Sequence, residues 1–174
     1  MDKLARHRKI ALDFDGTVVE GASSAAIADY VTQHPDKLFY IVTFRTPDQA
    51  ATISHELARA GLSTDLFSQI VPMPRRLAFD FEEDQQFRRA AAMPSIDRVP
   101  EDALLPGEHK LLNWKGFIAR KLGATVLVDD MPEMSAYGCR KFGVELVDAK
   151  DIHAMTHDLT EGLRRTLLRR SNRG

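Results

Sequence analysis

Lys9-Ile10-Ala11-Leu12-Asp13-Phe14-Asp15-Gly16-Thr17-Val18 decides how the rest of the chain is read. Ile10 to Leu12 are apolar without alternation, as in a strand buried on both faces, and the run ends abruptly in acid. A carboxylate directly after a buried strand costs free energy unless something neutralises it. Along an extended backbone, side chains two apart point the same way, so Asp13 and Asp15 can face one reaction centre. Gly16 permits a sharp turn and a close approach of backbone to a phosphate. One carboxylate can then attack phosphorus while the other handles the proton of the leaving group. The bland alternative is a turn after a strand, since Asp and Gly favour turns. The apolar strand before the motif and the acids downstream weigh against it.

Working outward, Leu38–Thr43 is a second buried strand, rich in β-formers and ending in Thr43. Thr125–Val128 is a fourth, followed by Asp129-Asp130. Acids gathered at strand ends suit magnesium, a hard cation that takes carboxylate and phosphate oxygens together. Between these strands the periodicity becomes helical. Ser23 or Ser24 can cap a helix through about His34. Thr46-Pro47-Asp48-Gln49 is a capping box with proline at the first helical position, and Ala50, Ile53, Leu57 and Ala60 form a stripe that Gly61 ends. Leu66–Val71 reads as the third strand, His109–Leu122 as a helix stopped by Gly123, and Val144–Val147 as the fifth strand. Asp130-Met131-Pro132-Glu133 opens a helix between the last two strands. A final helix follows Asp151, with Ile152, Met155, Leu159, Leu163 and Leu167 on one stripe.

This alternation predicts an α/β fold: a three-layer α/β/α, Rossmann-like parallel sheet with right-handed crossovers and helices on both faces. Ligands of such sheets bind beyond the carboxyl ends of the strands. The 174 residues fit a single domain spanning 1–174. Residues 72–108 break the rhythm with Pro72, Pro74, Pro94, Pro100 and Pro106 and an acidic-aromatic piece, Phe79-Asp80-Phe81-Glu82-Glu83. They are read as a small cap or loop inserted between the third strand and the lysine-bearing helix, with one helix around Gln85 to Ala92. Of Lys110, Lys115 and Lys121, Lys115 shares the face of Leu111 and Ile118 that turns toward the sheet, where an ammonium needs an anionic partner. A snorkelling lysine is the alternative.

Composition sets outer limits. Apolar residues make up 44% and the formal charge is −1, values of an ordinary globular protein that do not advertise nucleic acid as a partner. A lone cysteine, Cys139, cannot form an internal disulfide and fits a reducing cytoplasm. No apolar stretch approaches membrane-spanning length, and the N-terminal apolar run is too short for the core of a signal peptide. The expectation is a cytoplasmic protein without a membrane partner. His153 and His157 lie one helical turn apart, but with no third ligand nearby they read as a solvated face rather than a zinc site. The arginines between Arg164 and Arg173 complement the end of the last helix, or contact a phosphate backbone. Oligomeric state is left open.

Ile10–Val18 resembles the first signature of the haloacid-dehalogenase superfamily in its phosphatase form. Val42-Thr43 resembles the second signature, and Leu127-Val128-Asp129-Asp130 the fourth in its paired-acid variant, with a lysine upstream as the third. The resemblance implies a Mg²⁺-dependent phosphomonoester hydrolase acting through an aspartyl-phosphate on a small phosphorylated metabolite or nucleotide. It makes Asp13 the nucleophile and Asp15 the acid, then the base. It assigns Mg²⁺ to Asp13, the backbone carbonyl of Asp15 and the pair Asp129 and Asp130, and the phosphate to Thr43 and Lys115 beside Gly16. Arg45, just past Thr43, is placed either to reach substrate phosphate or to cover the surface. Asp130-x-x-Glu133 is also a capping pattern, so either acid of the pair can be the direct metal ligand. The chain between Gly16 and the second strand is too short for a cap, which leaves residues 72–108 to supply one and the site fairly open. Two other functions fit the same residues: a phosphatase acting on nucleic-acid ends or phosphoprotein, and a non-catalytic phosphate-binding module that keeps the fold.

Overall fold

Strand β1 (Lys9–Leu12) divides the core in two, because Ile10 and Leu12 point to one face of the sheet and Ala11 to the other, all three fully buried. The computed structural model describes residues 3–75, 77 and 106–152, with side chains from Lys110 onward in the last segment. After β1 come α1 (Ser24–Gln33), β2 (Leu38–Thr43), α2 (Pro47–Ala50), α3 (Ile53–Arg59), a 3₁₀ turn (Thr64–Leu66) and β3 (Phe67–Pro72). Then follow α4 (Pro106–Leu122), β4 (Val126–Asp129), α5 (Pro132–Phe142) and β5 (Glu145–Asp148).

The five strands form one parallel sheet in the order β3-β2-β1-β4-β5. On one face Ile10, Leu12, Ile41 and Val128 pack with Ile27 and Val31 of α1 and Ile53 and Leu57 of α3. On the other, Ala11, Val42 and Leu127 pack with Leu111, Leu112 and Ile118 of α4 and Met134 and Tyr137 of α5. The fold is thus α/β, Rossmann-like and three-layered. The chain moves outward from β1 to β3, then returns to lay β4 on the other side of β1. Strand order therefore reverses between β1 and β4, and the crevice at their carboxyl ends is the favoured ligand position of such sheets.

Two glycines set how α4 meets α5. A Cβ on Gly138 would lie 2.5 Å from the Leu112 carbonyl oxygen, and one on Gly116 would lie 2.2 Å from the Gly138 carbonyl carbon. The helices therefore cross backbone to backbone, bringing Lys115 and Ser135 to the same end of β4.

The elements follow the periodicity with local differences. The capping box at Thr46 and Gln49 forms, but the helix it opens is broken after Ala50 and resumes at Ile53. Ser23 occupies the N-cap position of α1 without a side-chain capping bond, while Ser24 accepts the Gly21 N–H and donates to the Thr17 carbonyl. Helix α4 starts at Pro106 rather than His109, because proline is well suited to a first helical turn, so the inserted segment ends earlier than read. Asp130 does not cap α5. Met131 takes the N-cap position, and its N–H donates to Asp129 Oδ1 at 2.9 Å. The helix read at Gln85 to Ala92, the stripe beyond Ile152, His153, His157 and the C-terminal arginines lie outside the described residues. No helix among the described residues is long and apolar enough to cross a membrane.

Gly138→Ala is expected to lower stability by about 1–3 kcal/mol through overpacking against backbone, outweighing the ~1 kcal/mol that alanine gains over glycine in a helix. Urea unfolding measures it, and an unchanged or higher midpoint would show that the crossing is looser than described.

Candidate active site

The parallel register pairs Leu12 with Val128, and the Asp13 N–H donates to the Val128 carbonyl at 2.9 Å. The first residue past β1 and the last of β4 are thereby set side by side, and both are aspartates. Two adjacent buried carboxylates repel unless a cation separates them. Lys115 supplies one: its Nζ lies 3.0 Å from Asp13 Oδ1 and 2.8 Å from Asp129 Oδ2. The lysine side chain is only 1% exposed, which rules out snorkelling. The Phe44 ring covers the ammonium at 4.2 Å, a cation–π contact.

Asp129 is wholly buried and heavily bonded. Its Oδ2 accepts both Lys115 and the Ser135 hydroxyl, the latter at 2.5 Å, while Oδ1 accepts the Met131 N–H. With two acceptor positions per carboxylate oxygen, one remains on Oδ1. Asp130 is less buried and turns to the loop after β1. Its N–H donates to Thr17 Oγ1 at 3.0 Å, and Thr17 Oγ1 lies 3.3 Å from its Oδ1. Gly16 (φ +72°) has to be glycine twice over. Its backbone is left-handed, and a Cβ there would sit 2.2 Å from Asp130 Oδ2.

Burial pushes the Asp13 carboxyl up to about 7; Lys115 pulls it down and Asp129 pushes it up. The lysine is raised to about 12, because its two carboxylate partners outweigh its own desolvation. The ammonium thus stays charged, and the cluster still holds more negative charge than one lysine offsets. Asp13, Asp129 and Asp130 each offer an oxygen within 4.8 Å of the others, the one such group found among the described residues. Three hard oxygen donors beside one cation, with a net charge of −2 when all ionise, fit a divalent ion such as Mg²⁺.

Asp15 belongs to a different arrangement. Its side chain, 49% exposed, lies outside that group and faces Arg45, whose Nη2 approaches Oδ1 at 2.6 Å. Arg45 is held in turn by Glu56 of α3 at 2.7 and 2.8 Å and stacks over Phe14 at 4.7 Å. Thr43 is buried at the end of β2, and its Oγ1 accepts the Arg45 backbone N–H at 3.1 Å.

Of the residues singled out from the sequence, Asp13, Lys115, Asp129 and Asp130 meet, with Gly16 packed under Asp130. Thr43 stands at the neighbouring strand end, and Asp15 and Arg45 pair with each other. Thr17, Ser135 and Glu56 were not foreseen. Thr17 lay within the quoted motif, and Ser135 lies six residues past Asp129, one helical turn into α5. Glu56 gave no signal beyond being an acid at the start of a helix. Comparison with protein-family models, curated proteins and solved structures gives no significant match. The chain is defined instead by its own geometry: a Rossmann-like α/β protein with a lysine-bridged carboxylate cluster at the switch point of its sheet.

The raised Asp13 carboxyl has a stability consequence in metal-free protein. Between its unfolded value of 3.8 and about 7 the folded state binds the extra proton, so this group's contribution falls as pH rises through that window. Asp13→Asn removes the dependence. In the presence of a chelator, the melting temperature of the variant minus that of wild type is expected to rise from pH 5 to pH 8. A flat difference would mean that Asp13 ionises in the fold as readily as outside it.

Proposed function

We propose that the chain is a Mg²⁺-dependent phosphomonoester hydrolase of the haloacid-dehalogenase type, with the segment between β3 and α4 as its small cap and a small phosphorylated metabolite or nucleotide as substrate. The observation that carries this reading is the Lys115 ammonium shared between Asp13 and Asp129 at the sheet's switch point. That arrangement sets a carboxylate beside a fixed positive charge, which favours its ionised form against the effect of burial, as an attack on phosphorus requires.

Asp13 attacks phosphorus through one carboxylate oxygen. The new O–P bond forms as the bond from phosphorus to the ester oxygen breaks, and the departing oxygen takes a proton from Asp15. Asp15, now ionised, removes a proton from water. The water oxygen attacks phosphorus, the Asp13–phosphorus bond breaks, and inorganic phosphate leaves with Asp13 and a protonated Asp15 restored. Each displacement is easier than a single direct hydrolysis. Asp13 and Asp130, with the remaining acceptor position of Asp129 Oδ1, would hold Mg²⁺. When bound, the ion would offset charge on the phosphoryl oxygens and the carboxylates. Lys115 and the Thr43 hydroxyl serve as donors to the phosphate.

Three variants and one omission test this. Wild type should turn over p-nitrophenyl phosphate with Mg²⁺ and lose turnover in chelator. Asp13→Asn should reduce it to background, and Lys115→Met should abolish it. Asp15→Asn should cost about 10²–10⁴-fold in kcat, the usual range for a general acid–base group. Undiminished turnover in Asp13→Asn would remove the nucleophile assignment. Phosphate binding without turnover in wild type would favour a non-catalytic module instead.

A further inference from the structure

Arg45 carries five N–H groups in a fixed planar fork. Its Nε–H points between the two Asp15 oxygens, at 3.1 and 3.0 Å. One Nη2–H goes to Asp15 Oδ1 at 2.6 Å and the other to Glu56 Oε2 at 2.8 Å. The two Nη1 protons go to Glu56 Oε1 at 2.7 Å and Thr52 Oγ1 at 3.2 Å. Every N–H is therefore committed to a protein acceptor. None remains for a phosphate oxygen, so a role for Arg45 as a phosphate ligand would require it to leave one of its two acids.

We infer that Glu56 is a positioning residue, which fixes the Arg45 fork and through it the carboxylate of Asp15 on the leaving-group side of the site. This rests on the proposed phosphatase reading and names what that reading lacks, namely what orients its acid. Asp15 needs such help. Its side chain is half exposed and follows the end of β1, in a loop whose next residue is a left-handed glycine. A carboxylate there loses rotamer freedom if it is to hold one direction. The fork supplies the direction through paired bonds, which fix orientation as well as distance.

The anchor for the fork comes from a separate element. Glu56 stands in the first turn of α3, where the helix dipole favours an acid, and Thr52 Oγ1 lies 2.6 Å from its Oε1. Arg45 holds the Glu56 carboxyl down to about 2, so the anchor is charged throughout the neutral range. Beneath the guanidinium lies the fully buried ring of Phe14, which covers one of its two faces.

The test is a double-mutant cycle on turnover, using glycerol phosphate as a substrate with a poor leaving group and p-nitrophenyl phosphate as one with a good leaving group. Glu56→Ala should lower kcat on glycerol phosphate about 10- to 100-fold at nearly constant KM, the scale of a slightly misplaced catalytic group. The loss should be smaller on p-nitrophenyl phosphate, whose leaving group needs less protonation. The double variant Glu56→Ala/Arg45→Ala should be no slower than Arg45→Ala alone. Glu56→Ala should cost nothing further in an Asp15→Asn background. Glu56→Gln, which keeps an acceptor for one Arg45 N–H, should retain more kcat than Glu56→Ala and guards against a variant that fails to fold. A change in KM alone, equal losses on both substrates, or additive effects in the cycle would overturn the inference. So would an indifferent Glu56→Ala in an enzyme whose turnover depends on Asp13, which would leave the phosphatase reading intact. Absence of any Asp13-dependent turnover in wild type would remove both.

Discussion

The ammonium of Lys115, enclosed between Asp13 and Asp129, is the contact on which the site's geometry depends. The sheet register puts two largely buried carboxylates next to each other, and only a cation of fixed position makes that arrangement tolerable. Removing one partner of such a buried set typically costs about 3–5 kcal/mol, because it strands uncompensated charge. The lysine in turn reaches its place because Gly116 and Gly138 let α4 and α5 touch backbone to backbone. Ser135 and the Met131 N–H then occupy most of what Asp129 has left to accept. The small residues of two helices and the chemistry of two strand ends are thus one construction.

Because β1 ends at Leu12, the acids of the motif are separated. Asp13 continues the side of the strand that faces α4 and finds Lys115 there. Phe14 continues the other side and is buried beneath Arg45, whose anchor is on α3. Asp15 lies past the strand's end and is drawn to that second side. Asp13 is thus held from one helical layer and Asp15 from the other, so a substitution in α3 can shift Asp15 without touching the lysine cluster.

Much of this was legible in the residues alone, for identifiable reasons. Buried parallel strands announce themselves as unbroken apolar runs, so β1, β2 and β4 stood out. The lysine was legible because a charge on the apolar stripe of α4, between Leu111 and Ile118, has to meet an opposite charge. What escaped notice depended on three-dimensional pairing between distant segments. Glu56 looks like any acid opening a helix until α3 is packed beside β1's outgoing loop. Ser135 looks like a polar residue in an ordinary helix until the glycine crossing draws α5 in. The competing cap role of Asp130 was a local pattern, and a tertiary contact with Thr17 and Gly16 overrode it. The sequence also suggested that Asp13 and Asp15 face one centre through strand alternation, but β1 ends at Leu12, so that periodicity does not extend to Asp15.

The most direct test of the account is to trap its covalent intermediate. Wild-type protein mixed with radiolabelled phosphomonoester and Mg²⁺, quenched in acid and digested, should carry label on the peptide containing Asp13, released by hydroxylamine as an acyl-phosphate is. Turnover that proceeds with no label at position 13, or with label on another residue, would contradict it.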